Sequence, residues 1–351
     1  MADNQITNLR KFLHHSGAKY RVFEMGRRVI KLSAQAFIDF EDAVKPYPYP
    51  LQRTAHIGIM FWNPDHADQH YIWFLKFPLD EQGLLIQSAR DEFLLMLLDR
   101  IGECMLASDG GQQFEGALKD SPYAFKPTED KMAAFNAQAT YCLGLPASDY
   151  YRDALAYYTG ERDIADWPTI AKQGVADVAS RLDEGDKTLG LMTTIPRLPD
   201  IPFFVLSNFL ENVAPEAGIV EVLAQRLNVE LQEKNPDIKR VCACLRAASN
   251  SQVTGLVDQM VLNVLKHKCS QHIEILATVS GRIWRVLNDQ GICQLFVERL
   301  AENDHDYDGF SLLLADAMYM PGLREPIMNA LRSPQRSTLL ARRVGRMFGQ
   351  Q

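Results

Sequence analysis

Gly291-Ile292-Cys293-Gln294-Leu295-Phe296-Val297-Glu298-Arg299-Leu300 decides how the second half of this chain is read. It opens on glycine, puts an apolar residue directly behind it, and ends on Arg-Leu. The same phrase runs from Gly218-Ile219 to Arg226-Leu227. It recurs from Gly322-Leu323 to Ala330-Leu331, and more weakly from Gly255-Leu256 to Val264-Leu265. The glycines stand 37, 36 and 31 residues apart. A second series of helix starts, near Ile201, Ile238, Ile273 and Gly309, is offset by 37, 35 and 36. Two helices in every such period is the pattern of an α-solenoid. One helical pair cannot bury its apolar face alone, and stacking neighbours completes the core. The expectation is therefore a set of short HEAT-like pairs over residues 199–351, closed by a basic C-terminal capping helix. A non-repetitive helical bundle is the competing reading.

Upstream the period changes. A first helix is expected from about Asn4 to His15, with Ile6, Leu9, Phe12 and Leu13 on one face and Gly17 after it. Tyr20–Phe23 and Val29–Leu32 read as one hairpin, and His56–Trp62 with Tyr71–Phe77 as another. Ser33 is placed to cap a helix carrying Phe37, Ile38 and Phe40. Pro46-Tyr47-Pro48-Tyr49-Pro50 excludes helix and reads as a rigid connector. A long amphipathic helix is expected over Leu84–Leu106. The fold class is α+β: a small N-terminal antiparallel sheet with helices over 1–110, a helical connecting region over 111–198, and helical pairs over 199–351.

The 351 residues are 47% apolar and 23% charged, a globular balance that excludes a disordered chain. Six cysteines without an export signal fit a reducing cytoplasm rather than a disulfide scaffold. No apolar run approaches the length of a membrane helix. The net charge of −7 is unevenly spread. Residues 1–31 hold seven bases and two acids, residues 332–351 hold five arginines and no acid, and the middle is left at −17. An acidic body with two basic ends points to nucleic acid, an acidic protein or the body itself as partner; a solvated surface is the plain alternative.

Trp73-Phe74-Leu75-Lys76-Phe77-Pro78-Leu79-Asp80-Glu81-Gln82-Gly83 and Tyr20-Arg21-Val22-Phe23-Glu24-Met25-Gly26-Arg27-Arg28-Val29 together carry a resemblance. The chain resembles a bacterial family known only as domain of unknown function number 3549, which spans nearly a whole chain of this length and carries a Leu-Asp-Glu motif. The resemblance implies a bacterial protein and brings no activity with it.

Asp80 and Glu81 follow a strand and precede a helix, where the ordinary role is capping; acid/base or metal chemistry is the alternative. His66 and His70 crowd a hairpin loop, and His-x₃-His fixes two rings on one metal only when it lies on a helix. Asp304, Asp306, Asp308 and Gly309 copy the first half of a calcium loop, but position twelve is Ala315. Asp308 as a helix cap is the simpler reading. His267, Cys269 and His272, and Cys242 with Cys244, lack a zinc spacing and read as ordinary helix and core residues. Dinucleotide, Walker, nucleophile-elbow and zincin motifs are absent, so no cofactor and no reaction are implied.

Three functions remain. A non-catalytic scaffold would hold a protein partner on the helical-repeat surface; residues 199–330 carry 11 bases and 17 acids, which disfavours a phosphate backbone there. An RNA- or DNA-associated factor would work through the basic ends, Arg27 and Arg28 at one and Arg342, Arg343 and Arg346 at the other. An enzyme would place its site in the N-terminal domain, at Asp80, Glu81 or the His66/His70 loop. The candidate partner-binding residues are thus Arg27, Arg28, Asp80, Glu81, Arg342, Arg343 and Arg346. The oligomeric state stays open.

Overall fold

The computed structural model describes residues 7–64, 70–105, 118, 120–183, 187–303, 307–347 and 349. Two compact units divide the chain, Met1–Lys131 and Met132–Gln351. It is an α+β protein: a small antiparallel sheet comes first and a long helical region follows.

The first unit holds α1 (Leu9–His15), β1 (Lys19–Glu24), β2 (Ile30–Lys31), α2 (Ala34–Glu41), β3 (Thr54–Trp62), β4 (His70–Pro78) and α3 (Gln87–Met105). Its four strands run in the order β2-β1-β3-β4, each antiparallel to its neighbour. Alternation along β4 sends Trp73, Leu75 and Phe77 inward. Phe12 of α1 stacks on Trp73, and Phe93 of α3 meets Phe77 edge-on. Both helices therefore cover one face of the sheet. α1 is capped by Asn8, whose side chain accepts from Lys11 N, and α2 by Ser33, which accepts from Ala36 N. α3 starts at Gln87, three residues later than the apolar period predicts. Leu85 is held back by a bridge to Leu79.

α4 (Glu129–Cys142) begins in the first unit and runs into the second. The second unit continues with α5 (Tyr151–Thr159), α6 (Lys172–Ser180), α7 (Lys187–Thr194), α8 (Asp200–Leu210), α9 (Ala217–Gln232), α10 (Ile238–Ala248), α11 (Thr254–Lys266), α12 (Ile273–Arg282), α13 (Gln290–Glu302), α14 (Tyr307–Met318), α15 (Arg324–Arg332) and α16 (Thr338–Met347). They pack in two rows. One row runs α5, α7, α9, α11, α13, α15, each helix resting on the next; the other runs α6, α8, α10, α12, α14 in the same way. Gly218, Gly255 and Gly291 each stand second in a first-row helix, and Gly322 lies just before α15. Ile238 and Ile273 open second-row helices, and Ile201 stands second in one.

The Leu of each Arg-Leu phrase explains the row. Leu227 and Leu300 are wholly buried, as are Ile219, Leu223, Val264, Leu265 and Phe296. Each such side chain contributes roughly 1.5–3 kcal/mol by leaving water. The two-row order also reaches back to α5, through residues 151–197 in which the sequence shows no repeat.

Candidate functional site

The turns after α9, α11 and α13 come together at one side of the second unit. They line a groove of about 440 Å³. Lys234 and Asn235 enter from the first turn, Lys268, Gln271 and His272 from the second, and Glu302 from the third. The first five are exposed and Glu302 is half-buried. The floor is fixed. Glu302 takes Arg299 Nη1 at 2.6 Å and Gln271 Nε2 at 3.1 Å. Buried Asn303 donates to the Gln271 carbonyl at 2.6 Å. Glu230 accepts from Asp237 N at 2.6 Å and so shapes the first turn. Cys269 lines the groove, but burial pushes its thiol up to about 11, which keeps it protonated and unreactive. The arrangement offers donors and acceptors around a fixed depression, and no activated nucleophile among its lining residues.

The Arg of the Arg-Leu phrase holds one turn to the next. Arg299 Nε donates to the Leu265 carbonyl at the end of α11, at 2.9 Å. Arg226 donates to the Leu198 carbonyl at 2.9 Å and to that of Ile195, and lies over the Phe203 ring at 3.8 Å. Carbonyls at a helix C-terminus have no partner within the helix and carry partial negative charge, so a guanidinium satisfies both needs. Burial lowers the Arg226 pKa. In the second row, Glu211 receives both Arg246, at 2.9 and 3.0 Å, and Arg282, at 3.1 Å.

The first unit carries a different cluster. Glu24 is fully buried at the end of β1. Its carboxylate accepts from Arg27 N at 2.5 Å and from the Tyr47 hydroxyl. Lys131 Nζ donates to the carbonyls of Met25, at 2.6 Å, and Gly26. Burial pushes Glu24 up to about 7, against the lowering effect of Tyr47, Arg27 and Lys131. His56 is pulled down to about 4, by burial first and then by the charges of Lys131 and Lys76. Glu41 is pushed up to about 7 by burial, though it accepts from Leu9 N at 2.5 Å and Arg10 N at 3.3 Å.

A family model described as a protein of unknown function, DUF3549, matches residues 4–348. The chain belongs to this family. No curated protein and no solved structure matches it.

Tyr47 bridges the two strings that carry the DUF3549 resemblance. Asp80 Oδ1 accepts from Gln82 N at 2.8 Å and Leu84 N at 2.9 Å, which closes a tight loop. Gly83 sits in that loop at φ +80°, a conformation that favours glycine. Its carbonyl accepts from Tyr47 N at 2.8 Å, and the Tyr47 hydroxyl reaches Glu24. Leu79-Asp80-Glu81 of this DUF3549 chain thus seats the tyrosine that the Tyr20–Val29 string binds. Asp80 caps its own loop, not α3, which starts seven residues later; the intervening loop and the Leu79–Leu85 bridge separate them. Glu81 is exposed.

Other expected partner residues also stand elsewhere than the sequence reading placed them. Arg27 and Arg28 are only 2% and 4% exposed, inside the unit and not on its surface. Arg27 Nε donates to the Pro50 carbonyl at 2.6 Å, and both backbone amides face Glu24. A charge in a hairpin turn is ordinarily solvated; here the turn is folded under Lys131 and the proline connector. Arg343 is half-buried and donates to the carbonyls of Ala301, at 3.3 Å, and Asn303, at 2.9 Å, the same device that Arg299 uses. Arg342 and Arg346 are exposed on α16. Of the metal candidates, His66, Asp304 and Asp306 lie outside the described residues, and so does the side chain of Asp308 in α14. His70 opens β4 opposite Trp62. Among the described residues no three His, Cys, Asp or Glu side chains gather as a metal site. No described helix is long and apolar enough to cross a membrane.

The sequence reading missed Glu24, His56 and Glu41, and it missed the turn groove. Tyr47 between prolines was the available signal, since a rigid connector plants a ring in one place.

Proposed function

We propose that this chain is a non-catalytic binding protein whose helical pairs form a HEAT-like solenoid and hold a protein partner. The observation that carries the reading is the groove across three successive turns, with its exposed lysines and amides on a floor fixed by hydrogen bonds. Lys234 and Lys268 present donors to carbonyl or carboxylate oxygens. Asn235 and Gln271 present donor and acceptor together, as a peptide backbone requires. Stacked pairs give such turns a regular spacing along one side, the arrangement by which repeat proteins hold extended partners. The buried thiols of Cys244, Cys269 and Cys293 suit a reducing bacterial cytoplasm. The nucleic-acid reading loses support, because Arg27 and Arg28 are buried and half-buried Arg343 is bonded to the carbonyls of Ala301 and Asn303.

The test is purification of the tagged full chain from a bacterial host, with and without nuclease. A protein retained in stoichiometric amount after nuclease is the expected result. Co-purifying nucleic acid that salt removes, or a chain that emerges alone, overturns the proposal.

A further inference from the structure

The two edges of the sheet are finished differently. Along β4, residues 123–125 complete the edge: Lys76 N donates to the Tyr123 carbonyl at 2.7 Å and Phe125 N to the Phe74 carbonyl at 3.1 Å. Along β1, the partner strand β2 is two residues long and covers only Phe23 and Glu24. Hydrogen-bond direction alternates along a strand. Met25 N donates to His56 on the β3 side, and the Val22 carbonyl accepts from Leu32 N on the outer side. Tyr20, two residues from Val22, therefore also turns its N–H and C=O outward. Among the described residues no strand pairs with Tyr20 there. Arg21 Nη1 donates to the Tyr20 carbonyl at 2.9 Å, which leaves its second lone pair.

A groove of about 520 Å³ lies along this edge. Lys19 and Arg21 line it from β1, Lys31 from β2, and Ser33 and Phe37 from the start of α2. Lys19 and Lys31 are exposed, and the Arg21 guanidinium lies 5.5 Å from the centre of the Trp62 ring. None of the lining residues is acidic. Glu41, whose charge Tyr20 feels, is turned into the first amides of α1. The N-terminus of α2 adds partial positive charge to the same groove.

We propose that this edge of β1 takes an extended acidic peptide as an added strand. The proposal goes beyond the turn groove and concerns the other unit. An open strand edge needs alternating donors and acceptors from its partner, which a peptide supplies. A phosphodiester backbone supplies acceptors only. Three cations beside the edge then select carboxylates at alternate positions.

The probe is a dye-labelled peptide of about ten residues that alternates Val and Glu, titrated onto the full chain by fluorescence anisotropy. The comparison probes are the same peptide with Pro in place of each Val and an oligothymidine of equal charge. The peptide is expected to bind, to slow amide exchange at Tyr20, and to lose at least about tenfold in affinity against Lys19→Glu/Lys31→Glu. The proline peptide, which keeps the charge, lacks half of the backbone donors and disfavours a paired strand, is expected to lose at least about tenfold against the wild-type chain. Failure of the Val/Glu peptide to bind overturns the proposal. So does equal binding of the proline peptide, equal binding of oligothymidine, or undiminished binding to the charge-reversed variant. The proline comparison uses only the wild-type chain and does not depend on how the variant folds.

Discussion

Among the described residues, Met1–Lys131 folds a cluster of charged side chains inward around its sheet, whereas in Met132–Gln351 three arginines are bonded to carbonyls at helix ends. Glu24, Arg27, Arg28 and Glu41 are each under 5% exposed in the first unit. In the second, Arg226, Arg299 and Arg343 reach carbonyls at helix ends, and Glu211 gathers Arg246 and Arg282. The Asp177–Arg181 pair of α6 is the buried contrast there. The difference follows from construction. In the stacked helices Arg226, Arg299, Arg343 and Arg246 each find a partner on a neighbouring turn or helix. A sheet built from distant strands encloses what its turns carry, and burial pushes the enclosed carboxyls of Glu24 and Glu41 up to about 7. Stability of the first unit should therefore depend on pH, and that of the second on packing.

The largest effect expected is at Leu300. Leu300→Ala removes a wholly buried side chain from the first row and should lower unfolding free energy by about 2–5 kcal/mol in urea titration. A loss under about 1 kcal/mol would mean that the row is not a packed core.

Glu24→Gln should act next, and only at high pH. The native carboxyl titrates near 7 and the unfolded one near 4.5, so the folded protein holds its proton more tightly. The contribution of Glu24 is full below about 4.5 and is lost as pH rises through about 7. The amide cannot ionise, so at pH 8 the variant should be the more stable by up to about 3 kcal/mol. At pH 4 the gain should vanish. Glu41 runs in the same direction. His56 runs in the opposite one: its contribution is full above 6.5 and is lost as pH falls toward 4. A gain from Glu24→Gln that did not vary with pH would contradict the buried carboxyl.

Arg226→Ala tests the second unit's use of charge. Loss of its bonds to Leu198 and Ile195, and of its contact with Phe203, should cost about 1–3 kcal/mol in the same titration, with little dependence on pH between 5 and 8. The smallest effect belongs to Gly255. Nothing lies within 4 Å of a Cβ built there. Gly255→Ala should raise stability by about 0.5–1 kcal/mol, read as a shift of the urea midpoint.

That last position shows what the sequence could and could not tell. The glycine period led to the right helix starts, but its members serve different ends. Gly218 packs closely, since a Cβ would stand 2.7 Å from Met192 Sδ and the methionine end would have to shift; Gly322 takes φ +84°; nothing in the structure explains Gly255. The Arg-Leu ending was the sounder signal, because leucine fills the row and arginine reaches the previous turn. The two hairpins and the Ser33 cap were legible because alternation and capping are local. The rows in residues 151–197 were not, since α5 to α7 are short and carry no glycine-led phrase. Glu24 was illegible for a longer-range reason. Its burial is set by Tyr47, Pro50 and Lys131, distant in sequence, and a glutamate at a strand end looks solvated. The turn groove depends on three turns that only the stacking brings together.

The central claim is that the second unit holds a protein partner across those turns. The most direct measurement compares full-length wild type with Lys234→Glu/Lys268→Glu in nuclease-treated purifications, with retained proteins quantified by mass spectrometry. Both lysines are exposed, so the variant should melt as wild type does, within about 0.5 kcal/mol. The account predicts one protein retained by the wild type and reduced at least about tenfold in the variant. Equal retention by both chains would contradict it.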